Sequence, residues 1–500
     1  MTFGGLVPLA LLATSLVTAL VIFPLGEERH RARTVVNLVG ATLKVAIVVA
    51  VFEPVLGGAQ FAWTSPLAPG VDLVLRFDEL SLLFIALSAA LWLLTTVYAI
   101  GYLEDSPHRS RFFGFFCLCV TSTVGISLAG NLVTLLIFYE LLTVVTYPLV
   151  AHRGTPQALA GARTYLRYTI GGGAVLLVGV AWLTALGAGG TFESGGTAAV
   201  AALAASQPLV MQVVFLLLVG GFAVKAAVFP LHGWLPRAMV APAPVSALLH
   251  AVAVVKAGAF GIVRVVHDVY GPAVADRLGV LLPLGVMAGI TIVYGSVRAL
   301  TQDDLKRRLA YSTVSQVSYI VLGMALVGAV STTAAVAHLV HQGLMKITLF
   351  FCAGALAETL GLHRVSELRG VGRRMPMTMA AFTVGALGMI GVPPVAGFVT
   401  KYYLGVGALS AGQPWVIGVL VVSTLLNAAY FLPIVVAAWW RPPEAGVAWA
   451  GRPRPRREGS WLLVIPLVVS AVASLAAGLF AGAWWSPLAL AREIAERGGG

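Results

Sequence analysis

About fourteen apolar runs, most near 20 residues long and separated by short polar turns, leave this chain few ways to fold. They lie at about 4–25, 34–53, 80–101, 111–129, 132–151, 164–186, 209–229, 243–266, 278–298, 308–330, 332–356, 377–407, 415–440 and 460–484. A backbone that crosses a bilayer must satisfy its own N–H and C=O groups, and runs of this length do so as helices. The sequence therefore predicts an all-α polytopic membrane protein, a single transmembrane domain over residues 1–500. Composition agrees: 10% of residues are charged, against about a quarter in a soluble domain. The longest segments between runs, about 54–79, 187–208 and 441–459, are too short for a soluble domain. The first run spans and has no positive leader, so it reads as the first helix rather than a cleaved signal.

The net charge of +12 first suggests a nucleic-acid partner, but its distribution points to the bilayer. Most basic residues fall in alternate loops, such as Arg29, Arg31 and Arg33, then Arg298, Lys306, Arg307 and Arg308, and Arg452, Arg454, Arg456 and Arg457. The positive-inside rule makes those loops cytoplasmic and puts both termini on the outer side. Cys117, Cys119 and Cys352 sit in apolar runs without a cluster-binding framework, so they read as packing.

Two spans are interrupted. In KAAVFPLHGWLPRAMVAPAPVSALLHAVAVVK, residues 225–256, the seventh run carries Lys225 and breaks at Pro230, and the eighth carries His250 and Lys256. The twelfth breaks at Gly391-Val392-Pro393-Pro394, shortly before Lys401. Proline removes a helix hydrogen bond, and the freed backbone groups survive at membrane depth only where protein or water meets them. Five spans separate the breaks, and an odd offset inverts one copy relative to the other. The expected division is a first repeat at about 111–266, a second at about 278–440, and flanking helices at 1–101 and 460–484.

The ionisable residues inside spans carry the chemistry. A charge at the middle of a span costs about 2.5–3.5 kcal/mol on insertion scales. Glu140 lies mid-span in the fifth run, and Lys225 is its natural partner. A Coulomb energy of about 4 kcal/mol at 4 Å means that varying their distance changes proton affinity by nearly three powers of ten. On a continuous eighth helix, His250 and Lys256 would stand about 240° apart and about 9 Å along the axis. On the eleventh, His338, His341 and Lys346 fall within an arc of about 140°, like a segment of a proton wire. A metal site there would need further ligands, and a lysine opposes it, so no metal is expected. Arg264, near the outer end of the eighth run, reads as an interfacial snorkelling residue, and Lys44 as structural or lipid-facing. Gly171-Gly172-Gly173 lies inside a helical run and follows no strand, so it is no dinucleotide fingerprint.

These residues fall in RFDELSLLF, NLVTLLIFYELLT, KAAVFPLHGWLPRAMVAPAPVSALLHAVAVVKAG, TQDDLKRRLAYSTVSQVSY, HQGLMKITLFFCAGA and GVPPVAGFVTKYYLG, from about residue 76 to 410. With them the chain resembles the antiporter-like subunit family. That family holds the large subunits of Mrp-type cation/proton antiporters, the proton-pumping subunits of respiratory complex I and subunits of membrane-bound hydrogenases. The resemblance implies fourteen helices, two inverted five-helix repeats, and breaks in the seventh and twelfth helices. It implies a proton path through Glu140, Lys225, Lys256 and Lys401, with His250, His338, His341 and Lys346 as relay residues, and no cofactor. Protons would enter near Glu140 and Lys225, cross by Lys256, His341 and Lys346, and leave by Lys401. The length and VSELRGVGRRMPMTMAAFTVGALGMIGVPP look most like the MrpD-type member of an Mrp Na+/H+ antiporter, whereas SALLHAVAVVKAG looks more like MrpA-type and hydrogenase-type members. The expected protein is a transporter subunit rather than an enzyme, in a bacterial plasma membrane, assembled with other integral membrane subunits. Alternatives are a subunit of a complex I-like or hydrogenase complex, or of an inorganic-carbon uptake complex.

Overall fold

The computed structural model describes residues 3–103, 106–443, 449 and 458–497. The basic segment 452–457, expected in a cytoplasmic loop, lies outside the described residues. Among these residues, twelve helices are long and apolar enough to cross a membrane. In chain order the first nine spans are Phe3–Ile22, His30–Leu56, Glu79–Tyr102, Arg109–Leu128, Leu132–Val150, Pro156–Ala185, Pro208–Lys225, Ala243–Tyr270 and Leu281–Leu300. The eleventh is Ala329–Leu360, the thirteenth Trp415–Trp440 and the fourteenth Trp461–Leu479.

The two remaining spans are unusual for physical reasons. The tenth, Leu305–Met324, opens on Lys306, Arg307 and Arg308 and buries Ser312, Thr313, Ser315, Gln316 and Ser318. Its hydropathy is low because these polar groups face other helices rather than lipid; it packs between the ninth and eleventh spans. The twelfth is split into Pro376–Ile390 and Ala396–Ser410. The fold is thus the expected all-α bundle of fourteen spans with broken seventh and twelfth helices.

Local chemistry sets the ends of the spans. Asp78, Asn131, Thr155 and Asp304 cap the third, fifth, sixth and tenth spans, each side chain accepting a backbone N–H of the first turn. Proline stands in the first turn of the sixth and seventh spans and of the first piece of the twelfth, where its missing N–H costs nothing. The eleventh span, 32 residues long, packs on the third, the eighth, the tenth, both pieces of the twelfth and the fourteenth, and forms the axis of the bundle.

Three features depart from the sequence reading. Residues 54–79, read as a plain connection, hold an antiparallel hairpin of Phe61–Ala68 and Val71–Phe77. The hairpin joins the end of the second span to the start of the third, and defines what we call the hairpin face; the loops rich in arginine lie on the opposite, basic face. An amphipathic helix, Pro487–Arg497, follows the last span on the hairpin face and packs on the third and eleventh spans. The eighth span is not continuous: its helix stops at Ala251 and restarts at Val254. Val252 and Ala253 both donate to Leu248 O, and Ala253 leaves helical geometry at φ −103°, ψ −86°. The 240° separation assumed for His250 and Lys256 therefore does not apply, because they stand on separate helical pieces.

Candidate functional site

Lys225 is the last residue of the seventh span's first half. Beyond it the chain turns through Ala227 at φ +57°, and Trp234 Nε1 donates at 2.7 Å to the Val224 carbonyl, which also accepts from Ala227 N at 3.2 Å. Lys225 is fully buried. Its Nζ donates to the carbonyl of Tyr139 and lies 3.3 Å from the centroid of that tyrosine's ring. Glu140 is the next residue along the fifth span, yet no carboxylate among the described residues approaches Lys225 Nζ within 4.0 Å. The expected partners are neighbours within electrostatic reach rather than a closed ion pair. Glu140 is half-buried, and its Oε1 has no hydrogen-bond partner. Its carboxylate rests on Gly173 of the sixth span, where a Cβ would come 2.1 Å from Oε1. The glycine run that offered no nucleotide site thus gives Glu140 its room.

The twelfth-span break mirrors this chemistry with a different solution. Gly391 takes φ +90°, which disfavours any residue with a Cβ, and a Cβ there would also lie 2.7 Å from Lys401 Cδ. Lys401 folds back on the break, donating to Ile390 O at 2.6 Å, Met389 O at 3.4 Å and Thr424 Oγ1 at 3.0 Å. Gln316 Nε2 and Asn427 Nδ2 also donate to Met389 O, at 3.3 and 3.1 Å. The carbonyls freed by Pro393 and Pro394 are therefore collected by an ammonium and two amides.

Between the two breaks lies a set of buried groups with few partners. Among the described residues Lys256 Nζ has none, nor has either ring nitrogen of His250 or His338 or either end of the Gln342 amide. His341 is held at Nδ1, 2.8 Å from Thr400 Oγ1, and is unpartnered at Nε2. Lys256 is within electrostatic range of both His338 and His341. The His338 ring packs against Tyr319 at 5.5 Å, and Lys401 Nζ lies 5.6 Å from the same tyrosine ring, so Tyr319 links the eleventh-span histidines to the twelfth-span lysine. His250 packs on Phe350 at 4.5 Å and is within range of Lys346. Lys346 itself donates to Ser312 Oγ, and to Leu309 O at 3.2 Å. A buried polar group without a partner costs about 1–3 kcal/mol, so a seam of several is stable only when hydrated. A hydrated seam between titratable groups can relay protons.

Sequence reasoning placed the titratable residues in this interior but missed Tyr319, Gln342 and Gly173, which are ordinary helix residues until their neighbours are known. It also left Lys44 open between a structural and a lipid-facing place, and misread Arg264. Lys44 does not face lipid: it is fully buried, donates to Ser15 Oγ at 2.9 Å and lies 4.9 Å from the Trp92 ring. Arg264 does not snorkel: only 2% exposed, it bonds Asp78 at 2.9 Å and Asp268 at 2.7 Å. Asp78 lies outside the spans. Burial by itself would raise its carboxyl, but Arg264 and Ser81 hold it down at about 2.

This arrangement defines a class: membrane proteins in which buried lysines, histidines and a glutamate line a broken-helix bundle. Residues 129–427 match the family described as NADH:quinone oxidoreductase/Mrp antiporter, TM, and residues 63–113 match the N-terminal region of complex I chain 5. The chain belongs to this family and is an antiporter-like membrane subunit of the Mrp and complex I type. It is 38% identical over 429 residues to NADH-quinone oxidoreductase subunit N of Desulforudis audaxviator (strain MP104C), covering 82% of each chain. It is 31% identical over 433 residues to NADH-quinone oxidoreductase subunit L of Mycobacterium tuberculosis (strain ATCC 25618 / H37Rv), over 84% of this chain and 64% of that longer one. Among solved structures, a chain of the Mrp complex from Dietzia sp. DQ12-45-1b superposes with a TM-score of 0.86 at 26% identity, over 100% of this chain and 98% of that one.

Proposed function

We propose that this protein is the proton-translocating subunit, of MrpD type, of a multi-subunit Mrp cation/proton antiporter exchanging Na+ for protons. The observation that carries the reading is the seam itself: Lys225, His250, Lys256, His338, His341 and Lys346 are buried in the bundle, Glu140 and Lys401 are half-buried beside them, and Lys256 and the three histidines keep polar atoms without a partner among the described residues. Protons are taken up near Glu140 and Lys225, pass Lys256, His338 and His341, and leave by Lys401; His250 and Lys346 feed the same interior. The bond from Lys225 to the Tyr139 carbonyl gives the ammonium a resting place beside Glu140, and exchange between the two contacts alters its hold on the proton. The repeats run over about 111–266 and 278–440, and the two breaks are their corresponding proton stations. The basic face is cytoplasmic, both termini lie outside a bacterial plasma membrane, and further integral membrane subunits supply the Na+ path.

The test is Lys225→Ala in the intact complex, assayed for proton translocation in inverted vesicles. Translocation falls by about tenfold or more while assembly persists, since the change removes a relay and not a structural pair. Undiminished translocation refutes the path. A second reading, a pumping subunit of a complex I-like oxidoreductase, is favoured by the 38% identity to subunit N over 82% of both chains. Purification of the complex separates the two: small membrane subunits alone support the antiporter, and a peripheral arm with iron–sulfur clusters supports the oxidoreductase.

A further inference from the structure

The eighth span ends on the hairpin face in a wide turn of π-helical geometry, Val265–Tyr270. Such turns are rare and concentrate at functional sites. This one holds His267 and Asp268, 3% and 4% exposed, beside Arg264. His267 Nδ1 lies 2.6 Å from Asp268 Oδ1, and Arg264 NH1 lies 2.7 Å from Asp268 Oδ2. Arg264 also bridges both oxygens of Asp78 at 2.9 Å.

A cavity of about 130 Å³ adjoins this group, and His267 lines it. The charged groups around the imidazole come from four elements. The eighth span supplies Arg264 and Asp268, the third Glu79 with Asp78 as its cap, the hairpin Arg76, and the C-terminal helix Arg497. Most are engaged: Arg497 pairs with Glu79 and Glu493, and Arg76 donates to the Phe192 carbonyl at 2.9 Å. The oxygens of Asp78 and Asp268 are taken, which leaves no free carboxylate oxygen on either for a metal cation. His267 Nε2 is buried and has no partner among the described residues. Arg264 shared between two aspartates leaves the buried trio one negative charge in excess, and the imidazole stands where one added proton balances it.

We propose that His267, held by Asp268, is a proton-exchange site open to the hairpin face, through which the pH on that face regulates the eighth span. It rests on the proton-path reading above, and adds to it a regulatory site separate from the Lys401 end of the seam. Asp268 accepts at Oδ1, so the neutral ring carries its hydrogen on Nδ1 and leaves the Nε2 lone pair unpartnered in a ring that lines the cavity. A proton from water binds Nε2. The imidazolium then competes with Arg264 for Asp268 and releases Arg264 toward Asp78. That shift acts on the helical piece Val254–Arg264, which carries Lys256. Arg497, on the C-terminal helix, lines the cavity and pairs there with Glu79.

Two measurements on the intact complex test this. Hydrogen–deuterium exchange at the imidazole C2 position, read by mass spectrometry, reports water access and titration at single histidines. His267 is expected to exchange along a sigmoidal pH curve, about threefold faster or more in Arg497→Gln. Absence of exchange at His267 in both proteins overturns the site. In vesicles, His267→Gln is expected to move the dependence of translocation on hairpin-side pH by about half a unit or more, leaving the dependence on the opposite side unchanged. Superimposable profiles overturn the regulation. Should His267→Gln fail to assemble, the exchange curves of the wild type and Arg497→Gln decide alone. The failure of the path reading is distinct: it shows as undiminished translocation in Lys225→Ala and leaves His267 exchange untouched.

Discussion

Two sets of buried charges lie in this bundle, and they are held in opposite ways. At the hairpin face, Arg264 makes two ion pairs, both aspartates are saturated, and Asp78 also caps the third span. In the central seam, Lys256 has no partner and His250 and His338 have none at either nitrogen. Both sets lie inside the bundle, so depth does not separate them. A closed pair resists loss because removing one member strands the other, whereas an unpartnered buried group costs stability and is free to bind or release a proton. The contrast tells a clamp from a conduit.

The largest effect is expected from breaking the clamp. Asp78→Asn leaves Arg264 short of a carboxylate and should lower unfolding stability by about 3–5 kcal/mol, seen as a large drop in Tm of the detergent-solubilised complex. A drop no larger than that of a surface substitution would erase the contrast. Next comes the conduit. Lys256→Met should cut translocation by about a hundredfold while Tm holds or rises, because the change removes an unpaired buried ammonium and keeps its volume. A falling Tm would make Lys256 a structural residue after all.

The smallest effect is acid sensitivity of the clamp. Asp78 is held near 2 in the folded protein against an ordinary 3.8, so its folded carboxyl is depressed. Its contribution, about 2 kcal/mol, is fully present above pH 4 and is lost as pH falls through about 2. Acid unfolding of the wild type should show this window, and that of Asp78→Asn should lack it.

The breaks in the two spans were legible because proline cannot continue a helix, and Lys225 and Lys401 stood out against apolar flanks on both sides. The break at Val252 and Ala253 was not legible: no proline or glycine marks it, and the valines there lower helix propensity by only a few tenths of a kcal/mol. The hairpin at 61–77 is too short for its alternation to rise above the hydropathy of the spans beside it. Arg264 was misjudged: Asp268, four residues on, could have shown one partner, but Asp78 lies 186 residues away in the chain. Gly173 looked like one more helix glycine until the Glu140 carboxylate was found against it.

By itself the sequence determined that the chain crosses a membrane many times as helices, where two of them break, and which ionisable residues lie at depth. Hydropathy, proline geometry and the cost of burying charge are local quantities that each run of residues carries alone. The tertiary structure decided which buried charges are paired and which are left open, since a partner is a matter of distance between elements far apart in the chain. That distinction separates Arg264, locked between two aspartates, from Lys256, fully as buried and without a partner among the described residues.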